Sequence, residues 1–444
     1  MIDLSRLWQI LFILLILLLT RLWMSSPDTR VFNVDAAGYH NLADNWLSGR
    51  GFTLQTDLPY CPDALRTPVY PLFIAGNYSL FGHNQPVIFI MQSLLDVIVG
   101  AIVFRILYGL SHRRYFVALA GLLAYTLTLS QWHYTHLLLT ESLLAFLLAM
   151  TCWFLWLALH RQKSWAFIAT GIFLGLSVLC KPTVQPIIPI VILIIFIVNW
   201  RRSFLLIIAL LLTVLPWLTR NYLIFGDVFL SRTYAENLSR VAAPATLAET
   251  QGGNIFIWSP EWESLFLGIV DETRQRHGWA SFDVSCAEWE QRRLQIAAIS
   301  SEIIREHPLA FVSAYIKGVW NGLQGQEQLY WYSLISGESP DSVGRYNGAP
   351  INQLPPGLLI MGILWTGTMV IFYLSSAIGA VILLRKYPAL TLILLLIITT
   401  GLILPGPLAW VRFRVPVMPQ MIILSVVGCA AMRDRGLNKN SRLK

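Results

Sequence analysis

Six ionisable residues lie inside or at the ends of long apolar runs, where a lipid bilayer makes charge costly. They are Asp96, Glu141, Lys181, Arg220, Arg412 and Arg414. Arginine and lysine at headgroup depth can bind a lipid phosphate and stabilise it as a leaving group. A carboxylate across the same cleft can accept a proton from an incoming hydroxyl or amine. These residue types therefore point to chemistry on a lipid-linked phosphate.

Simpler roles are open to several of these residues. Arg220, Arg412 and Arg414 could extend their charged ends into the membrane interface. Asp96 lies mid-run, and we expect it to make a polar contact with Gln92 or with a neighbouring helix. External short loops normally avoid arginine and lysine, so several cations at one face favour a functional role.

A metal site is the weaker interpretation of the segment before Glu141. His133, His136 and Glu141 could share one helix face, but no further cluster of Cys or His completes a ligand set. An aromatic belt at the membrane interface explains residues 132–136 better. We therefore expect no metal and no cofactor.

The composition says which class of protein must position these residues. Hydrophobic residues make up 56% of the 444-residue chain and charged residues only 13%, whereas soluble chains are about 25% charged. A soluble or disordered protein is therefore excluded. The formal net charge of +8 does not indicate a nucleic-acid partner, because such binders lack long apolar runs.

About ten apolar runs could cross a bilayer, which predicts an all-α polytopic membrane protein. The first run follows Arg6 without a cleavage pattern, so we expect a retained signal anchor. The runs are 8–23, 85–107, 115–130, 137–159, 165–179, 184–198, 204–218, 357–384, 390–404 and 410–432.

The loops between these runs alternate in charge. Arg113, Arg161, Arg201, Arg385 and the basic tail fall on one side, and the loops 131–136 and 405–409 contain no Lys or Arg. We expect the protein to lie in the cell membrane, or inner membrane, and the positive-inside rule places both of its termini in the cytoplasm. Residues 25–84 and 219–356 then lie outside. We thus divide the chain into an N-terminal membrane module (1–218), an extracytoplasmic helical region (219–356) and C-terminal membrane helices with a tail (357–444).

Both external segments contain helical patterns. Residues 35–46 can form a helix, and 69–81 is an apolar stretch too short to span, which suits the interface. In 284–306 apolar residues recur at helical spacing, with Pro308 as a stop. Cys61 and Cys286 fall in the two external segments, and whether they pair is left open because nothing in the sequence fixes their separation.

Four motifs on this topology resemble the C-type glycosyltransferase (GT-C) superfamily, with the protein O-mannosyltransferases and the lipid A aminoarabinose transferase as the most similar group. The resemblance runs from residue 35 to residue 419. The motifs are residues 35–52, beginning with Asp35 and including Tyr39; residues 66–75, with Arg66, Pro68 and Tyr70; residues 139–142, with Glu141; and residues 216–222 together with 412–419.

The resemblance implies a GT-C bundle that transfers a sugar from a polyprenyl-phosphate carrier, with inversion and without a metal. Asp35 would be the base or its close partner, and Glu141 the second carboxylate. Three side chains would contact sugar or lipid: Tyr39, Tyr70 and Trp217. The donor phosphate would be held by Arg66, Lys181, Arg220, Arg412 and Arg414. The implied partners are the bilayer, the lipid-linked donor and an extracytoplasmic lipid, glycan or protein acceptor; no oligomeric state is implied.

Two further functions are kept as alternatives. A lipid-linked oligosaccharide polymerase or ligase would use a pyrophosphate-linked chain at a similar site. A transporter or flippase would place ionisable groups near the bilayer midplane and show related repeats. Only Asp96 is central, and no repeat is visible, so the glycosyltransferase is the preferred prediction.

Overall fold

The computed structural model describes residues 4–23, 34–253, 259–281, 284–325, 327–338 and 353–440. Within these ranges the chain is helical, and the only β pairing is an isolated bridge between Thr53 and Pro62. The predicted all-α membrane fold is confirmed.

Six helices are long and apolar enough to cross a membrane, and four shorter apolar helices accompany them. All ten predicted runs coincide with these helices, although length alone assigns only six as spans. The long ones are Leu4–Trp23, Gln85–Leu110, Glu141–Arg161, Trp200–Phe225, Pro356–Lys386 and Val411–Asp434; the shorter ones are Tyr115–Thr126, Ser164–Cys180, Pro182–Val198 and Pro388–Leu402. The chain is therefore a multi-pass membrane protein.

The segment between Thr126 and Glu141 differs from the prediction. The helix ends at Thr126 rather than at Ser130, and a short buried helix, Leu129–Tyr134, precedes Glu141. The indole N–H of Trp132 donates to the carbonyl of Thr126 at 3.0 Å, which satisfies one of the free carbonyls at the helix end. Residues 126–131 alternate Thr, Ser and Gln with Leu, and this mixed sequence contains no Gly or Pro that would have marked the turn.

The external helices form where the sequence predicts them. Val34–Leu47, Val69–Phe81 and Cys286–Glu306 match the predicted helices within two residues, and Pro308 begins a new helix. Buried Ile296, Ile299 and Ile303 pack together with Ile269. The other described α-helices of this region are Thr233–Asn237, Ala243–Thr250, Pro260–His277, Pro308–Gln324 and Glu327–Ser336, and the π-helical turn Leu238–Ala242 joins the first two. The helix Trp200–Phe225 crosses the predicted boundary between residues 218 and 219. The division of the chain into three parts therefore stays a prediction.

Glycines let the membrane helices approach closely. A Cβ added at Gly379 would lie 1.8 Å from the carbonyl oxygen of Leu424, and one at Gly428 would lie 1.9 Å from that of Ser375. Small residues at such contacts are typical of helix pairs packed within membranes. The last span, Val411–Asp434, consists of the short helix Val411–Arg414, a 3₁₀ turn and the start of the helix Met418–Asn440. The two glycine contacts hold Met418–Asn440 against Pro356–Lys386.

Asp96 forms a buried ion pair with the first helix. Nε of Arg21 lies 2.6 Å from Oδ2 of Asp96, and the Tyr125 hydroxyl donates to the same carboxylate. Gln92 instead accepts from Tyr70 and donates to backbone carbonyls of residues 135 and 137. The predicted contact with a neighbouring helix is thus confirmed, and its partner is Arg21.

A disulfide joins the two external segments. Cys61 and Cys286 are bonded, with their Cα atoms 5.3 Å apart. The pairing that the sequence left open is therefore present. It links the loop before helix Val69–Phe81 to the start of helix Cys286–Glu306.

Candidate active site

Arg412 connects two carboxylates that are far apart in the sequence. Its Nη1 lies 2.7 Å from Oδ2 of Asp35, and its Nε lies 2.8 Å from Oε1 of Glu141. Arg412 belongs to the one-turn helix Val411–Arg414, which follows an extended Trp410. The guanidinium has donors on several edges, so one side chain can bridge two acids.

Glu141 lies at the bottom of this cluster. It begins the helix Glu141–Arg161, whose N-terminal dipole favours a negative charge. Its side chain is 0% exposed, and Lys181 Nζ lies 2.8 Å from Oε1. Among the described residues, Oε2 of Glu141 has no hydrogen-bond partner.

Lys181 is positioned by the end of its own helix. Ser164–Cys180 stops where Pro182 follows, and Lys181 takes an extended backbone conformation. Its ammonium group lies 4.5 Å from the centre of the Phe413 ring, a cation–π distance. The ammonium is thus held between a carboxylate and an aromatic face.

Asp35 and Arg66 form the outer side of the cluster. Nη2 of Arg66 lies 3.4 Å from Oδ1 of Asp35, and the guanidinium lies 5.4 Å from the centre of the Tyr39 ring. A Cβ at Gly38 would lie 2.6 Å from Nη2 of Arg66. Any larger residue at position 38 would therefore displace the guanidinium.

Exposure falls along the three side chains that Arg412 joins, from Asp35 through Arg412 to Glu141. The side chain of Asp35 is 40% exposed, that of Arg412 is 23% exposed, and Glu141 is sealed. Burial acts to raise the pKa of Asp35, but Arg412 and Arg66 outweigh it, so the pKa lies below the ordinary aspartate value. Asp35 is therefore ionised at neutral pH and is the carboxylate that an outside molecule can reach.

Two of the predicted aromatic residues border the cluster. The rings of Tyr39 and Tyr70 meet edge to face with centroids 5.0 Å apart. Burial and the nearby Asp35 carboxylate raise the pKa of Tyr39, so its hydroxyl stays protonated. Tyr70 is fully buried and donates to Gln92 at 2.9 Å, which places it in the wall behind Tyr39.

Arg220 and Trp217 lie in a neighbouring cluster and do not contact the two carboxylates. Arg220 Nη1 donates to the carbonyl of Asp63 at 2.9 Å, and its guanidinium lies 4.7 Å from the centre of the Trp217 ring. Trp217 also packs against Phe52 and donates to the Leu230 carbonyl. Arg220 therefore supports the loop that carries Arg66, and Trp217 packs beside Arg220.

Arg414 points away from the carboxylates. Its Nη1 donates to the Leu323 carbonyl at 2.9 Å and to the Tyr373 hydroxyl at 3.2 Å. Residues two apart on a helix face nearly opposite sides, so Arg412 and Arg414 diverge. The structure thus gives Arg414 contacts with helices Pro308–Gln324 and Pro356–Lys386 instead of the site.

Several residues of the site region were missed in the sequence. Asp63 accepts a hydrogen bond from the backbone N–H of Arg66 at 2.7 Å. An aspartate three residues before Arg66 is a sequence pattern typical of a turn, and it could have identified this contact. Phe413 contacts Lys181, and, apart from the site, Arg21 pairs with Asp96. No local signal in the sequence identifies the last two contacts.

In the part of the chain that the structure describes, no group of three or more His, Cys, Asp or Glu residues is arranged to hold a metal. Nδ1 of His136 lies 3.0 Å from the Trp132 carbonyl, and the ring of His133 packs edge to face on Tyr134. The contacts of these rings are thus with the backbone and with neighbouring aromatic residues.

One family of known sequences matches this chain in part. The family, described as dolichyl-phosphate-mannose-protein mannosyltransferase, matches residues 65–219. The matched stretch is about a third of the chain and contains Arg66, Glu141 and Lys181, but not Asp35 or Arg412. No curated protein matches the sequence.

The solved structures to which this chain is similar include those of two proteins. ArnT from Cupriavidus metallidurans, bound to undecaprenyl phosphate, is 14% identical with a TM-score of 0.45, and the match covers 94% of this chain and 76% of ArnT. Its apo state is also 14% identical, with a TM-score of 0.41 and coverage of 96% and 77%. The archaeal oligosaccharyltransferase AglB from Archaeoglobus fulgidus, in complex with an inhibitory peptide and a dolichol-phosphate, is 14% identical with a TM-score of 0.54, covering 98% of this chain and 51% of AglB.

The likeness to AglB identifies the fold as the GT-C type. The chain spans about half the length of AglB. The expected resemblance to the GT-C superfamily and its protein O-mannosyltransferases is confirmed by the match over residues 65–219.

Proposed function

We propose that this protein is a membrane glycosyltransferase that moves a sugar from a polyprenyl-phosphate carrier to an extracytoplasmic acceptor. One observation carries the proposal. Arg412 bridges an accessible carboxylate, Asp35, and a sealed one, Glu141, with Arg66 and Lys181 on either side. The cluster thus combines a proton acceptor with cations suited to a phosphate leaving group.

The charge of the cluster favours a monophosphate donor. Three cations (Arg66, Lys181 and Arg412) surround two carboxylates, which leaves one positive charge in excess. A sugar linked to a polyprenol through one phosphate is a phosphodiester with a single negative charge. A pyrophosphate-linked donor carries two, so this cluster neutralises the monophosphate better than the donor of an oligosaccharide polymerase or ligase.

The cations stabilise the leaving group. The acceptor oxygen or nitrogen attacks the anomeric carbon, the bond from that carbon to the phosphate oxygen breaks, and polyprenyl phosphate leaves with the bonding electrons. Attack from the face opposite the phosphate inverts the configuration. Arg66, Lys181 and Arg412 stabilise the negative charge that develops on the phosphate oxygen. Charged donors that are already in position stabilise such charge strongly where water is excluded. We therefore propose that no metal or cofactor is required.

The two carboxylates have different roles in this scheme. Asp35 is the exposed one and takes the proton of the acceptor hydroxyl or amine as it attacks. Glu141 is sealed from solvent, so its role is to hold Lys181 and Arg412 in position. Tyr39 borders the same opening and is placed to contact the sugar.

The site is proposed to face the outside of the cell, with both chain termini in the cytoplasm. The distribution of basic loops supports this orientation. The disulfide between the two external segments is independent support, since such bonds persist in oxidising compartments. Residues 219–356 would then form a lid or acceptor platform over the site.

Sugar release by the purified protein tests the proposal. We expect turnover of a polyprenyl-phosphate-linked sugar in nanodiscs, with no loss in excess EDTA and with the opposite anomer in the product. The pyrophosphate-linked form of the same sugar serves as the comparison donor. Faster turnover of the pyrophosphate donor, or loss of activity in EDTA that added metal restores, would overturn this donor and mechanism.

A further inference from the structure

The loop that carries Arg66 is buried although it belongs to no helix. Apart from the isolated bridge at Pro62, residues 61–67 have no regular secondary structure, and Asp63 and Ala64 are buried. A buried loop must find partners for its backbone polar groups elsewhere in the molecule. Its conformation is therefore set by the surrounding residues.

Contacts from three sides hold the backbone of this loop. The N–H of Asp63 donates to the Phe52 carbonyl at 2.8 Å, and the Ala64 carbonyl accepts from the N–H of Arg232 at 2.8 Å. The Leu65 carbonyl accepts from the hydroxyl of Thr233 at 2.6 Å. The Cys61–Cys286 disulfide fixes the start of the loop. The loop is thus anchored up to residue 65, one residue before Arg66.

The Asp63 side chain makes the last connection. Its Oδ2 accepts the backbone N–H of Arg66 at 2.7 Å, a local bond that aspartate often forms in turns. On the other side, the guanidinium of Arg66 packs over Gly38 with no room for a Cβ. The backbone of Arg66 is thus held by Asp63, while its side chain is held between Gly38 and Asp35.

We propose that Asp63 is a positioning residue that orients Arg66 toward the donor phosphate. This inference rests on the proposed function, because it assigns Arg66 to the phosphate. Asp63 itself does not touch the substrate: its carboxylate is directed at the backbone of its own loop. Loss of its acceptor oxygen frees the Arg66 backbone to rotate, and the guanidinium then leaves its place beside Asp35.

Binding of undecaprenyl phosphate to the full-length protein in detergent measures the effect. Undecaprenol, which lacks the phosphate, is the reference lipid. We expect Asp63→Ala to weaken undecaprenyl phosphate binding about tenfold, the loss typical of one charge-assisted hydrogen bond, and to leave undecaprenol binding unchanged. Asp63→Asn keeps an acceptor oxygen and should bind within about threefold of wild type. Asp57→Ala, an exposed change in the same external segment, is the matched control.

A double-mutant cycle separates positioning from a general structural role. If Asp63 acts through Arg66, Asp63→Ala causes no further loss of binding in an Arg66→Ala background. Additive losses, wild-type binding by Asp63→Ala, or equal losses in Asp63→Asn and Asp63→Ala would each overturn the inference. Where Asp63→Ala does not fold, Asp63→Ser is expected to show a smaller loss in the same cycle, and wild-type binding by it would again contradict the inference.

The same data distinguish failure of this inference from failure of the proposed function. Undecaprenyl phosphate that binds no better than undecaprenol, or Arg66→Ala that binds like wild type, would contradict the assignment of Arg66 to the phosphate. Loss of binding in Arg66→Ala with full binding in Asp63→Ala would contradict only the positioning role.

Discussion

Two groups of buried charges in this protein invite comparison: the cluster around Arg412 and the pair formed by Arg21 and Asp96. The pair is sealed, with side chains 0% and 1% exposed and one cation for one acid. The Tyr125 hydroxyl and backbone carbonyls of residues 125 and 126 complete its hydrogen bonds. The Arg412 cluster is open on the Asp35 side and has more cations than carboxylates.

This difference separates a structural ion pair from a site. A neutral, fully bonded pair has nothing to offer a charged ligand, whereas an open cluster with an excess cation can take up an anion. A transporter would need its ionisable groups to be accessible near the bilayer midplane. Asp96 is the acid that the sequence places there, and it is sealed. The comparison therefore favours chemistry at the helix ends over transport through the bundle.

The largest effect is expected from Asp35→Asn. Removing the proton acceptor should lower sugar transfer roughly 10³-fold, within the range for general base catalysis. The melting temperature should stay near that of wild type because Asp35 is partly exposed. Asp44→Asn, on the same helix Val34–Leu47, is the control and should retain transfer. Equal loss in both variants would mean that the change acts through the helix and not through the carboxylate.

Asp96→Asn should produce the opposite pattern. Breaking a buried ion pair by removing one partner costs about 3–5 kcal/mol of stability, so the unfolding free energy should fall by that order. Transfer per folded molecule should remain within about twofold of wild type, because the pair lies apart from the site. Selective loss of transfer at unchanged stability would place Asp96 in the mechanism. Asp434→Asn, which removes an exposed pair with Arg114, should leave both quantities near wild type.

Arg412→Lys keeps the charge and removes the bridge. A single ammonium cannot reproduce the two directed bonds to Asp35 and Glu141, so transfer should fall roughly 100-fold, as for loss of one preorganised donor in a catalytic site. Single-turnover kinetics with the lipid-linked donor measure it. Arg414→Lys, the control, should lower stability more than it lowers turnover. If Arg414→Lys lowered turnover more than Arg412→Lys does, the assignment of Arg412 to the site and of Arg414 to helix packing would be wrong.

Cys61→Ser should affect the Arg412 cluster and spare the Arg21–Asp96 pair. Loss of a disulfide typically costs about 2–4 kcal/mol, here in the external region, and weaker anchoring of the Arg66 loop should reduce donor binding severalfold. The free, exposed Cys429 provides the control Cys429→Ser, which should behave as wild type. Intact-mass measurement before and after reduction checks the bond itself. Wild-type donor binding by Cys61→Ser would show that the loop is held without it.

Much of the fold could be predicted because a membrane helix requires a long apolar run, which is easily recognised in a sequence. Apolar length identified the membrane helices, and residue spacing identified Val69–Phe81 and Cys286–Glu306. The short helix Leu129–Tyr134 was missed because its sequence, with Ser130, Gln131 and His133, shows no apolar helical pattern and was assigned in part to a short external loop. Tertiary packing, not local pattern, ends the preceding helix at Thr126.

The site was predicted in part, for a related reason. Asp35, Glu141, Arg66, Lys181 and Arg412 were named and do meet. Arg414 was grouped with Arg412, although helical geometry would have separated them. The partner of Asp96 is 75 residues away, and no single sequence encodes such a pairing.

A structure of the full-length protein with undecaprenyl phosphate, determined by electron microscopy in nanodiscs, tests the central claim most directly. The account predicts the phosphate within hydrogen-bonding distance of at least two of Arg66, Lys181 and Arg412, with Asp35 on the open side. A phosphate bound elsewhere, with the Arg412 bridge between Asp35 and Glu141 undisturbed and closed to the lipid, would contradict the account.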